Sequence, residues 1–171
     1  MFNKGACMSN NCTDKWPATQ KIGILAAGLR YLVPLALVGL TTSAMAASTV
    51  EVHSDPNCGC CGAWVEHLEA NGFEVDHQRH NDVRGVKIEQ GVTPEIASCH
   101  TAIVDGYVIE GHVPADDIKA LLEERPEVAG LAVPGMPHGS PGMETGRVDD
   151  YAVVSWTRDR QPPEIFREYI K

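Results

Sequence analysis

Three cysteines fall within four residues, Cys58-Gly59-Cys60-Cys61, at the junction between a strand-like and a helix-like segment. Before the cluster, Thr49-Val50-Glu51-Val52-His53 alternates and is β-rich, which predicts a strand. Asp55-Pro56-Asn57 predicts a turn. After the cluster, Ala63-Trp64-Val65-Glu66-His67-Leu68-Glu69-Ala70 has helical spacing and stops at Asn71-Gly72. Phe73–His77 alternates again, so the segment reads as a βαβ unit with the cysteines at its first strand-to-helix turn. Such crowding serves a structural staple poorly, because a very short loop removes little chain entropy. It suits a metal or redox centre, since a helix N-terminus favours thiolate over thiol. A structural Cys58–Cys61 disulfide with Cys60 spare is the other reading, and the sequence leaves both open. Cys61, vicinal to Cys60, is expected to point elsewhere.

The rest of the chain extends this frame. Residues 82–90 predict a second helix ending at Gly91. Thr101–Val104 and Tyr107–Glu110 flank Asp105-Gly106, a strong two-residue hairpin signal. Pro114 opens a third helix over 115–124, with Asp116 and Asp117 in its first turn. A Gly/Pro/Met loop covers 134–146, Tyr151–Trp156 predicts a strand, and the tail is expected to be short and helical. The fold class expected is α/β, with a mixed sheet of four to five strands flanked by helices. The order βαβ, helix, ββ, helix, with cysteines at the first βα turn, resembles the thioredoxin fold. In that fold a cis-proline precedes the third strand and faces the cysteines. His100, preceded by Cys99, stands there in this sequence, which argues against ordinary dithiol exchange.

Residues 1–46 read differently. Lys4, Lys15, Lys21 and Arg30 form a basic stretch, Tyr31–Leu40 an apolar run, and Ala44-Met45-Ala46 a small-residue cleavage site. This order is that of a cleaved secretory signal, with Met8 as an alternative start. The apolar run is shorter than the about 20 residues that span a bilayer, so no stable membrane insertion is expected after cleavage. Cleavage after Ala46 would leave one domain, 47–171, in the periplasm. It would remove four of the 14 Lys/Arg and one of the 23 Asp/Glu, leaving 10 against 22 and a net charge of −12. Such a surface repels phosphate backbones, so nucleic acid is not an expected partner.

Four cysteines remain in that domain: Cys58, Cys60, Cys61 and Cys99. Cys99-His100 precedes the predicted third strand, and His112 follows the fourth. In the loop, Met136 and Met143 flank His138 with no apolar periodicity to explain them as core. Thioether prefers Cu(I), and imidazole suits copper and zinc alike. The candidate metal ligands are therefore Cys58, Cys60, Cys61, Cys99, His100, His112, Met136, His138 and Met143. His53 lies close enough to the cluster to support it; His67, His77 and His80 read as solvated surface.

These motifs together resemble the CopG-like family of periplasmic copper-resistance proteins, long catalogued as a domain of unknown function. The resemblance is carried by Cys58-Gly59-Cys60-Cys61, Ser98-Cys99-His100-Thr101, Glu110-Gly111-His112-Val113-Pro114 and the loop from Gly135 to Glu144. It implies a thioredoxin-like fold, copper bound at the Cys, His and Met positions just named, and redox conversion of copper. It is compatible with periplasmic copper-efflux or copper-handling partners. A non-catalytic copper sink or metallochaperone, a thiol–disulfide oxidoreductase and a structural zinc site are the alternatives. The methionine loop argues against the last two.

Overall fold

The computed structural model describes residues 48–159 and 161–171. The proposed signal segment and its cleavage site lie outside the described residues. Ten elements follow in order: β1 (Thr49–Ser54), α1 (Gly59–Ala70), β2 (Glu74–Arg79), α2 (Val83–Gln90), β3 (His100–Val104), β4 (Tyr107–Glu110), α3 (Ala115–Glu124), β5 (Gly130–Ala132), β6 (Tyr151–Trp156) and β7 (Glu164–Tyr169). The strands form one mixed sheet in the order β2-β1-β3-β4-β5-β6-β7. β1 pairs with β2, and β4 with β5, in parallel; the other neighbours are antiparallel.

The sheet has seven strands where the sequence predicts four to five. The two extra strands have separate causes. β5 is three residues long and entirely buried, so it shows no alternation. Gly130 belongs there because a Cβ at that position would collide with the Val108 backbone of β4. β7 replaces the helix expected in the tail. It adds an antiparallel edge to β6, and Phe166 and Tyr169 pack on the main core. Tyr169 stacks on Tyr151 and its hydroxyl donates to Asp117 Oδ2 at 2.8 Å. Asp117 is fully buried and also pairs with Arg167. The tail is thus held by tertiary partners that local sequence does not announce.

Elsewhere the local signals hold. In β1, Val50 and Val52 face inward with no exposed area. Asp105 (φ 48°) and Gly106 (φ 86°) make the tight β3–β4 turn, as a two-residue hairpin requires. Asp82 caps α2 by accepting the Gly85 N–H at 2.9 Å, and Gly91 ends it in the left-handed region. α1 begins four residues earlier than its apolar spacing predicts. Cys58 is its extended N-cap, so Gly59, Cys60 and Cys61 form the first turn.

Val108 and Ile109 are adjacent on β4 and point to opposite sheet faces. Ile109 joins the main core with Val50, Val52, Trp64, Leu68, Ile118 and Leu121. Val108 joins a smaller cluster with Ile96, Ala129, Ala132 and Trp156. Each Val, Leu or Ile among them contributes about 1.5–3 kcal/mol by leaving water. Trp64 also donates its indole N–H to the Val113 carbonyl at 2.9 Å. That bond ties α1 to the segment between β4 and α3, which matters for the site.

Candidate metal and thiol site

The site forms where α1 begins, β3 begins and β4 ends. Antiparallel pairing sets Ser54 opposite His100, and Thr101 opposite Glu110. This register brings the turn after β1, the start of β3 and the end of β4 to one end of the sheet. Cys58 and Cys61 are joined in a disulfide, while Cys60 and Cys99 are free. Cys61 is therefore turned toward Cys58 and fully buried, not pointed elsewhere. The disulfide links the N-cap of α1 to its third residue. Cys60 Sγ lies 3.5 Å from Cys58 Sγ and 3.9 Å from Cys99 Sγ. All four sulfurs lie within 4.8 Å of one another.

Cys99 belongs to a second group as well. Its Sγ is 3.3 Å from His100 Nδ1 and 3.1 Å from His112 Nε2. One ligand atom from each of these three residues also falls within 4.8 Å of the others. Cys99 is thus the hinge between a sulfur cluster and an imidazole pair. Burial, reinforced by the neighbouring Cys60, pushes its thiol up to about 12, so the metal-free residue carries its proton at neutral pH.

His112 is oriented by the loop. Its Nδ1 lies 2.8 Å from the Pro141 carbonyl, which can only accept. Nδ1 therefore carries the hydrogen, and the Nε2 lone pair faces Cys99. Burial holds the ring below the usual histidine range, against smaller opposing effects of the Pro141 hydrogen bond and Glu144. A neutral imidazole with one nitrogen fixed by a carbonyl and the other free is the form that binds metal. His100 is fully enclosed, packed on the Trp64 ring at 4.3 Å between centroids and edge-on to His112 at 5.0 Å. Burial first, then His112 and Lys87, drive its affinity for a proton well down. Its Nε2 has no hydrogen-bond partner.

The Gly/Pro/Met loop returns over this site. Gly142 has φ +83°, and a Cβ there would lie 2.8 Å from the Trp64 nitrogen and 2.9 Å from the Cys60 oxygen. The loop backbone therefore rests directly on the first turn of α1, one residue before Met143. Met136 is 53% exposed. His138 is turned to its own loop, with ring Nδ1 2.6 Å from Thr145 Oγ1 and its backbone N–H donating to Asp149 Oδ2. The loop thus brings Pro141 and Gly142 to the site, while His138 is engaged within the loop and is not in the Cys/His groups.

Several residues here escaped sequence reasoning. Glu110 is fully buried and accepts from Ser98 N at 2.6 Å, Lys87 Nζ at 2.5 Å and Thr101 Oγ1 at 2.7 Å. It stands one residue before Gly111-His112 and clamps the backbone one residue before Cys99. Gly111 (φ +71°) permits this closeness, since a Cβ would meet Ser98 at 2.5 Å and the Val133 carbonyl at 2.8 Å. The available signal was an acidic residue ending an otherwise apolar strand. His67 is not solvated surface: its Nε2 accepts the Ala115 N–H at 3.1 Å and caps α3. His53, His77 and His80 are likewise engaged. His53 Nδ1 meets His80 Nε2 at 3.1 Å, and Ser54 Oγ meets His77 Nε2 at 2.7 Å.

The donor set suits a soft metal ion: free thiols at the base, the His112 imidazole of fixed tautomer opposite, and a buried His100 nitrogen left without a partner. Comparison with known proteins agrees. Residues 96–143 match a family model described as "Protein of unknown function, DUF411". A solved structure of a copper resistance protein, CopG Form 2, is 50% identical, with TM-score 0.69, covering 73% of this chain and all of that one. A second, CopG Form 1, is also 50% identical, with TM-score 0.68, covering 72% of this chain and 98% of that one. The chain belongs to the CopG family of copper-resistance proteins. No curated protein matches it. The DUF411 match begins at Ile96 and ends at Met143, so in this CopG-family chain it spans Cys99, both site histidines and the loop as far as Met143, but not the Cys58–Cys61 turn.

Proposed function

We propose that this chain is a periplasmic copper-binding protein that holds Cu(I) and converts it to and from Cu(II) in copper resistance. The observation that carries this reading is the position of Cys99, shared between a four-sulfur group and a two-imidazole group. Thiolates favour Cu(I), and imidazoles tolerate Cu(II) as well. A site offering both to one ion could pass an electron without expelling the metal. Met143, beside Gly142 on the first turn of α1, and Met136 are the proposed thioether ligands from the loop; His138 is the weakest member of the set. Export would follow from the basic and apolar segment before Ala46, cleaved there to leave residues 47–171. Periplasmic copper-efflux or copper-handling proteins are the proposed partners. Among the described residues, no helix is long and apolar enough to cross a membrane.

We read the first four strands as a thioredoxin-like core. Support comes from the order β2-β1-β3-β4, with β1 parallel to β2 and β3 antiparallel to both its neighbours, and from the cysteines at the β1–α1 turn. In that reading β5, β6 and β7 extend the core on the β4 side.

Metal preference is the direct test. The fully reduced domain should hold Cu(I) against a Cu(I)-specific chelator such as bathocuproine disulfonate, and hold Zn(II) far less well in a parallel titration. Equal or better retention of zinc would remove the copper assignment. A second reading, thiol–disulfide oxidoreductase, is favoured by one observation, the Cys58–Cys61 disulfide in a C-x-x-C spacing at a helix start. Robust turnover of a protein disulfide in a standard reductase assay without copper would place it first. Electrochemistry of the copper-loaded protein separates redox conversion from a passive copper sink or metallochaperone: only the former requires a reversible couple.

A further inference from the structure

The four sulfurs of the site are not equivalent. Cys58 and Cys61 are already bonded. The two thiols that remain, Cys60 and Cys99, are neighbours at 3.9 Å. They come from different elements, 39 residues apart in sequence. A disulfide needs about 2.0 Å between sulfurs, so roughly 2 Å of approach would close this second pair. Both residues are partly exposed, which places the pair at the edge of the site and not in the sealed core. Cys99 also faces a base: His112 Nε2 is 3.1 Å away, with its lone pair aimed by the Nδ1 bond to Pro141. The backbone beside Cys99 is held by Glu110, and Cys60 sits in the first turn of α1. The pair is therefore carried on two well-fixed supports.

We propose that Cys60 and Cys99 are a second redox pair, a dithiol that reduces two Cu(II) ions to Cu(I) and closes as a disulfide. The inference rests on the copper reading for its oxidant. Each Cu(II) takes one electron. The Cys60 and Cys99 S–H bonds break and one S–S bond forms between them. The Cys99 proton leaves to solvent by way of His112 Nε2, which ends the step neutral, and the Cys60 proton leaves to solvent directly. The products are two Cu(I) ions, one disulfide and two protons. Closure would also remove the last two thiols of the site, leaving only imidazole and thioether to hold the product ions. The same step that reduces copper therefore weakens the grip on it.

The test uses the protein with its Cys58–Cys61 disulfide in place, under anaerobic conditions, with two equivalents of Cu(II) and bathocuproine disulfonate to report Cu(I). The expected result is two Cu(I) per chain, loss of both thiols, and a Cys60–Cys99 disulfide within one chain on non-reducing peptide mapping. Cys60→Ser and Cys99→Ser each keep a single thiol, and circular dichroism verifies that they are folded; Cys60→Ala and Cys99→Ala serve if either serine variant is not. Because the wild-type partners are held together, the single-thiol variants should reduce Cu(II) about tenfold more slowly or worse. They should yield at most one Cu(I) per chain. Variants as fast as wild type, or a wild-type product other than the intramolecular Cys60–Cys99 bond, would overturn the proposal. Copper bound with both thiols intact and no Cu(I) released would overturn it while leaving the copper site standing. Failure to bind copper in any redox state would instead remove the reading beneath it.

Discussion

Replacing Gly142 with alanine tests whether the loop is a working part of the site. Gly142 and Gly146 share almost the same φ, +83° and +85°. An alanine at either position carries the left-handed strain, about 1–2 kcal/mol. Their surroundings differ. Around Gly146 nothing lies within 4 Å of where a Cβ would stand, whereas at Gly142 that atom would meet the Trp64 nitrogen at 2.8 Å, the Cys60 oxygen at 2.9 Å and the Trp64 Cα at 3.2 Å. These are backbone atoms of a helix and cannot rotate away. Overpacking of this kind costs about 1–3 kcal/mol, so Gly142→Ala should be less stable than Gly146→Ala by about that amount. For a domain of this size the gap in thermal midpoint is about 3–5 °C per kcal/mol. If the loop lifts to relieve the clash, the Pro141 carbonyl leaves His112 Nδ1, and the ring loses the bond that aims Nε2 at Cys99. Copper affinity should then fall in Gly142→Ala and not in Gly146→Ala. Urea titration of both apo variants, with Cu(I) chelator competition on the reduced forms, reads out both effects. Equal stability and equal copper affinity in the two variants would refute the seating of the loop on α1.

Other outcomes follow from the same geometry. Cys99→Ser should lower the copper bound per chain, measured by metal analysis after gel filtration, while the apo domain still folds. Met136→Leu with Met143→Leu should leave the apo thermal midpoint unchanged and alter copper affinity or the copper spectrum; a wild-type copper response would assign the loop to packing alone. Lys87→Met should cost about 3–5 kcal/mol in chemical denaturation, because it strands the buried Glu110 carboxylate. Adding Glu110→Gln to it should recover part of that loss. Acid should weaken the apo fold. Burial lowers His67, His77 and His112, and lowers His100 furthest. The unfolded chain therefore takes up protons first, so this stability is intact above the unfolded histidine value of about 6.5 and drains away as pH falls below it. His67→Gln should flatten that fall in a pH series of urea midpoints; an unchanged slope would exclude the His67 cap as a contributor.

The sequence by itself determined most of the elements and most of the chemistry. Alternation wrote β1, Asp105-Gly106 wrote the β3–β4 turn, Asp82 and Gly91 bounded α2, and Pro114 opened α3. These signals are local: they depend on backbone preferences and on which face of one element must be dry. The same locality marked Cys58-Gly59-Cys60-Cys61, Cys99-His100 and His112 as candidate metal or redox residues, with a structural Cys58–Cys61 disulfide as the other reading of the cluster. Tertiary structure decided what local signals cannot carry. β5 and β7 exist because a neighbouring strand offers hydrogen bonds and because Tyr151 and Asp117 offer partners to Tyr169. The structure settles the cluster between its two readings: Cys58 pairs with Cys61, which leaves Cys60 free to face Cys99. Cys99 reaches Cys60 across 39 residues only because β3 pairs with β1 in one register; a one-residue slip would turn its neighbours to the other face. The tautomer of His112 and the burial of Glu110 likewise depend on groups distant in sequence, Pro141 for the first and Lys87, Ser98 and Thr101 for the second. Residue types set which atoms are available to a metal or a disulfide. The long-range packing of the sheet sets which of them meet.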